Sequence, residues 1–191
     1  GFPVTISVGG SYRLGSNLVV TTQANGIEVR ANEVTIDMGG FTLTGSGTGR
    51  NGVTSFNLIT KVWHGTVRNF TLDGIRSVGQ SLTVEDMVVT NNGRHGVNTD
   101  AVVSLLAVAF ARVNGSTVTG NAATGITCAA FCRVENNIVS FNQSTGIHLS
   151  GGSTMAIGNL VAGNFGSGIA FAGTGGAGNN TVVGNGSGIV G

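Results

Sequence analysis

Hydrophobic and polar positions along this chain repeat with a period much longer than a helical turn or a strand. A glycine followed by isoleucine or valine recurs at Gly26-Ile27, Gly52-Val53, Gly74-Ile75, Gly96-Val97, Gly125-Ile126, Gly146-Ile147, Gly168-Ile169 and Gly188-Ile189. Successive glycines stand 26, 22, 22, 29, 21, 22 and 20 residues apart. Further columns keep register with them. Asn92, Asn121, Asn142 and Asn164 lie four residues before the glycine, and Val67, Val89, Val118, Val139 and Val161 lie seven before it. Val62, Val84, Val113, Val134 and Ala156 lie twelve before it. Several columns sharing one period are the signature of a stacked repeat.

The spacing predicts an all-β chain, a right-handed parallel β-helix. This solenoid has about eight coils, with roughly 22 residues and three short strands per coil. One coil cannot bury its inward aliphatics alone, so each must sit on its equivalent about 4.8 Å away. The asparagine column predicts an inside ladder, its stacked amides satisfying turn groups that a tight bend leaves unpaired. The glycine column is expected to supply backbone angles that a side chain would resist. Leucine-rich repeats have a similar period but need leucine columns, which are absent.

Residues 1–191 read as one domain, with 1–45 forming the N-terminal coils. The 29-residue spacing predicts a loop insertion over 98–112, and the 26-residue spacing a glycine-rich loop at Gly45 to Gly52. The run Ala101 to Ala111 is apolar enough to pack on the solenoid wall or on a partner. The last coil, Gly188-Ile189-Val190-Gly191, shows no polar cap, so further chain or a partner is expected to cover it. A homo-oligomer is one such arrangement.

Composition narrows the function. Glycine supplies 34 of 191 residues and charged residues only 9%, a mixture that suits turns and strands rather than helices. Mean hydropathy of +0.29 gives enough apolar surface for a core. A net charge of +1 with scattered basic residues lacks the footprint of a nucleic-acid binder. No apolar run reaches the length of a membrane span. The opening Gly1-Phe2-Pro3 reads as a mature or trimmed chain. Cys128 and Cys132 suit either a disulfide across a turn, as in an exported protein, or two buried thiols. No metal-ligand cluster is evident.

The segments Gly10-Ser11-Tyr12-Arg13-Leu14, Asn17-Leu18-Val19-Val20, Val34-Thr35-Ile36-Asp37 and Gly40-Phe41-Thr42-Leu43-Thr44-Gly45 open the chain. With the later Asn-x-x-x-Gly-Ile coils, the chain resembles bacterial right-handed parallel β-helix repeat proteins of the pectate-lyase-like superfamily. That resemblance implies the fold over nearly the whole chain. It also implies a secreted, cell-surface or periplasmic protein that binds or processes a polysaccharide. Tailspikes in the same superfamily make an assembly module, such as a stalk or trimeric spike segment, the competing implication. Enzymes of the family would imply a polysaccharide lyase or glycoside hydrolase, and calcium enters by that analogy alone. Their motifs are not matched: there is no Gly-His-Gly element, no clustered acidic calcium ligands and no Asp-Pro-His.

Register places exposed side chains. Val62, Val84, Val113 and Val134 point inward, so their neighbours point outward. One flank gives Lys61, Thr83, Arg112 and Arg133, and the other Trp63, Glu85, Asn114 and Glu135. An aromatic face with cations and carboxylates suits a sugar, and Lys61, Trp63, Glu85, Arg112, Arg133 and Glu135 are the candidate glycan contacts. The same charges could equally solubilise a strand face by pairing with each other. Two catalytic candidates stand beside them. Asp73 and His95, one coil apart, suit an acid–base pair or a surface salt bridge. Glu85 and Glu135, two coils apart, approach the separation of an inverting carboxylate pair. A second outward column runs Glu28, Thr54, Arg76, Asn98, Thr127 and His148.

Overall fold

The computed structural model describes residues 1–56, 59–79, 81–99, 110–129 and 131–191. Within them every regular element is a strand, and all strand pairs are parallel. One sheet of nine strands stacks Val4–Ile6, Ile27–Val29, Val53–Ser55, Ile75–Ser77, Val97–Thr99, Ile126–Cys128, Ile147–Leu149, Ser167–Phe171 and Ser187–Val190. The remaining fourteen strands form a second sheet that folds around the other sides of the coil. Each step along the sequence returns the chain to the same face one coil on, which is a parallel β-helix. The inward column is Ile36, Val62, Val84, Val113, Val134 and Ala156, paired in that order and all fully buried.

The coils bend at single residues in the left-handed region. His64, Asp86, Gly115, Asn136, Gly158 and Asn179 form one such corner, and Asn69, Asn91, Gly120, Phe141, Gly163 and Gly184 another, with φ between 48° and 67°. Asparagine, aspartate and glycine tolerate this region, which explains their place at most of these corners. The ten-residue strands Ile59–Arg68 and Ser81–Thr90 run straight through the first corner.

The asparagine ladder is present. Each amide donates to the carboxamide oxygen of the next coil, from Asn92 to Asn121, Asn142, Asn164 and Asn185, over 2.8–3.0 Å. Each of those oxygens also accepts the backbone N–H of the preceding asparagine. A second ladder, Asn137, Asn159 and Asn180, does the same at the first corner.

The recurring glycine has a different role from the one expected. Gly52, Gly74, Gly96, Gly125, Gly146 and Gly168 are all outside the left-handed region. A Cβ on any of them would lie 2.3–2.6 Å from a valine methyl of the next coil. The column is glycine because the stacked coil occupies that space, not because of backbone angles.

The insertion is narrower than 98–112. Asn98 and Thr99 complete one strand and Phe110 to Arg112 begin the next. Residues 100–109, which include most of the apolar run Ala101 to Ala111, lie outside the described residues. The final strand Ser187–Val190 is exposed throughout.

Candidate functional site

The strand register puts the outward stripe where the columns placed it. Lys61 pairs with Thr83, Thr83 with Arg112, and Arg112 with Arg133. Trp63 pairs with Glu85, Glu85 with Asn114, and Asn114 with Glu135. The charged side chains pair with one another in a continuous zigzag. Lys61 Nζ lies 2.5 Å from Glu85 Oε2, and Arg112 Nη1 donates to Glu85 Oε1 at 2.9 Å. Arg112 Nε donates to Glu135 Oε2 at 3.1 Å, and Arg133 Nη2 lies 2.6 Å from Glu135 Oε1.

Every carboxylate oxygen of the stripe is therefore used, while the cations keep donors to spare. A guanidinium has five N–H groups. Arg112 and Arg133 are 46% and 57% exposed, so their unspent donors face solvent. Three cations against two carboxylates leave the stripe with one net positive charge. Exposed pairs of this kind contribute little stability each, so their main effect is to hold five long side chains in one arrangement. Trp63 is half-buried, with Lys61 Nζ 5.4 Å from its ring centroid, so an ammonium shares the face on which a sugar would stack.

The stripe continues past the residues that sequence reasoning marked. Arg13, Asp37 and Trp63 are register partners on successive coils. Asp37 Oδ1 accepts the Gly39 amide at 2.8 Å and lies 3.3 Å from His64 Nδ1, and Arg13 Nε stands 3.5 Å from Oδ2. The Gly39 amide holds the Asp37 carboxyl below its usual value against the opposing effect of desolvation, with smaller help from His64 and Arg13. The His64 ring lies 5.6 Å from that of Trp63. Twelve residues before Gly52 and Gly26 stand Gly40 and Leu14, so the column offset does not lead back to Ile36 and Tyr12, and only the strand register reveals Asp37 and Arg13.

Neither catalytic pair has the geometry that its reading needs. Asp73 is fully buried, and both oxygens are taken. Arg94 grips it with Nε and Nη2, the His95 backbone amide donates at 3.1 Å, and Asn98 Nδ2 donates at 3.2 Å. Four donors fill the lone-pair sites of a carboxylate. Asp73 is a turn anchor, and the His95 ring nitrogen Nδ1 lies 3.4 Å from Thr127 Oγ1. Between Glu85 and Glu135 sits the Arg112 guanidinium, bound to both, in the space that an inverting enzyme keeps for water and sugar. Among the described residues no three His, Cys, Asp or Glu side chains converge as a metal site.

Cys128 and Cys132 form a disulfide, with Cα atoms 6.1 Å apart, and both side chains are buried. Of the two arrangements open from sequence, the structure has the bond. Among the described residues no helix is long and apolar enough to cross a membrane.

No protein-family model matches the chain, and no curated protein matches it in sequence. Among solved structures it is similar to the A-module of a mannuronan C-5 epimerase from Azotobacter vinelandii. The TM-score is 0.47 and the identity 11%, over 95% of this chain and 76% of that one.

Proposed function

We propose that this protein binds a polysaccharide along the outer face of the fourteen-stranded sheet. The supporting observation is the rail from Lys61 through Glu85, Arg112 and Glu135 to Arg133, with Trp63 at one end. Its side chains are held before any ligand arrives, which lowers the entropy cost of binding. Its free donors suit the hydroxyl, ether and carboxylate oxygens of a sugar. Coils repeat about every 4.8 Å, close to the length of a sugar residue, so a chain lying along the solenoid axis meets successive coils. The disulfide suits an exported location, secreted, cell-surface or periplasmic.

A glycan-array screen identifies the ligand. Trp63→Ala and Arg133→Ala are then each expected to weaken binding by about tenfold or more, about 1.4 kcal/mol. Arg68→Ala, exposed beyond the first corner, should leave the affinity unchanged. Equal affinities for all three variants and the parent would remove the stripe from consideration.

An assembly role is the second reading, and a patch of exposed apolar side chains favours it. Ile138 and Leu160, register partners on adjacent coils, are 47% and 40% exposed on the outer face of the solenoid, and Val88, 40% exposed, lies in the same column beyond Thr117. Contiguous exposed apolar surface marks interfaces. Light scattering is expected to show association that Ile138→Lys with Leu160→Lys abolishes. A parent protein that stays monomeric at high concentration removes this reading.

A further inference from the structure

The outer face of the nine-stranded sheet carries a column of polar residues, one of them a buried hydroxyl with no hydrogen-bond partner. Glu28, Thr54, Arg76, Asn98, Thr127 and His148 are stacked in register there, one per coil. Each is flanked along its strand by residues that point into the solenoid, so each points out. Yet Thr54, Asn98 and Thr127 are only 2%, 7% and 3% exposed. Neighbouring side chains cover them. Among these neighbours is the turn of Asp73 and His95, whose side chains reach Asn98 and Thr127.

Two observations on this face point to a ligand. The Thr54 hydroxyl is buried and has no hydrogen-bond partner. Buried polar atoms are nearly always paired, so an exception needs a reason. One coil on, Arg76 is half-buried, and among the described residues no carboxylate pairs with it. The two nearest candidates are engaged elsewhere. Glu28 binds Arg30 and Asn25, and Asp73 has all its lone pairs filled. Among the described residues its guanidinium therefore keeps donors for an anion.

We propose that Arg76 and Thr54 form the centre of a binding site for an oxyanion, the guanidinium gripping two oxygens and the Thr54 hydroxyl donating to one. The planar fork of arginine matches a carboxylate or phosphate group in two parallel hydrogen bonds. Thr54 is the register partner of Arg76, one coil step of about 4.8 Å away. Asn98 flanks Arg76 on the other side. This site faces away from the Trp63 stripe and does not depend on it.

The test is a nuclear magnetic resonance titration of the whole chain, following the Arg76 Nε–Hε signal and the Thr54 amide. Acetate and inorganic phosphate are added separately, with chloride matching the ionic strength. Saturable shifts with acetate alone identify a carboxylate ligand, and with phosphate alone a phosphate group. Arg76→Gln should weaken binding by about tenfold or more, the loss of a hydrogen bond to a charged group. Thr54→Val, which keeps shape and removes the hydroxyl, should weaken it less. Arg76→Lys should restore part of the affinity. Thr54→Val also serves should Arg76→Gln fail to fold, since it leaves the charge in place. Trp63→Ala should leave the titration unchanged. No saturable shift with either anion, or the same affinity in Thr54→Val and the parent, overturns the proposal.

Discussion

Gly125→Ala is expected to lower the stability of the solenoid by about 3 kcal/mol, the upper part of the range for overpacking a filled interior. The added Cβ would lie 2.6 Å from Val139 Cγ1, 2.7 Å from Asn142 Nδ2 and 2.7 Å from the Gly146 carbonyl oxygen. The side chains are locked in the valine column and the amide ladder, and the carbonyl accepts the Ile126 amide. None can retreat without opening the next coil. Gly176→Ala is the matched comparison. It has nothing within 4 Å of the new carbon and should change stability by no more than about 0.5 kcal/mol. Urea unfolding of the two variants decides the matter. A small and equal effect would mean that the coils are not stacked as closely as the valine methyls indicate.

Asn142→Ala should cost about 2–4 kcal/mol, through an unsatisfied buried amide and the cavity left behind. Asn142 is fully buried, and its Oδ1 accepts both the Asn121 backbone N–H and the Asn121 side-chain amide. Its Nδ2 donates to Asn164 Oδ1 and to the Val118 carbonyl. Truncation strands the Asn121 N–H in the interior, where water cannot replace the lost acceptor. Ser144→Ala, two residues on and half-buried, removes no such bond and should be nearly neutral. Equal melting temperatures for the two variants would show that the ladder contributes nothing.

The stacking order was legible because it repeats. Val62, Val84, Val113 and Val134 share one offset from the glycine, and a repeated offset in a solenoid is a contact. The positions on either side of that offset carried Lys61, Glu85, Arg112 and Glu135 to one face. The second ladder was not legible. Asn137, Asn159 and Asn180 share their column with Met87 and Ser116 in earlier coils, so the column shows no single residue type. The corner column was hidden in the same way, since His64, Asp86, Gly115 and Asn136 share a backbone angle and not a side chain.

Sequence by itself determined the coil length, the parallel stacking and the residues that face outward, because a solenoid turns periodicity directly into position. Partnership was decided only by the tertiary structure. Whether Asp73 orients an imidazole or anchors Arg94 depends on rotamers and on a few tenths of an ångström, which no column records. Whether a glycine is there for its backbone angle or for a valine methyl one coil on depends on how closely the coils approach. Arg112 and Arg76 look alike as exposed-face arginines in the sequence. The fold gives the first two glutamates and sets the second beside a buried hydroxyl with no carboxylate partner among the described residues, because pairing depends on which carboxylates the neighbouring coils bring within reach.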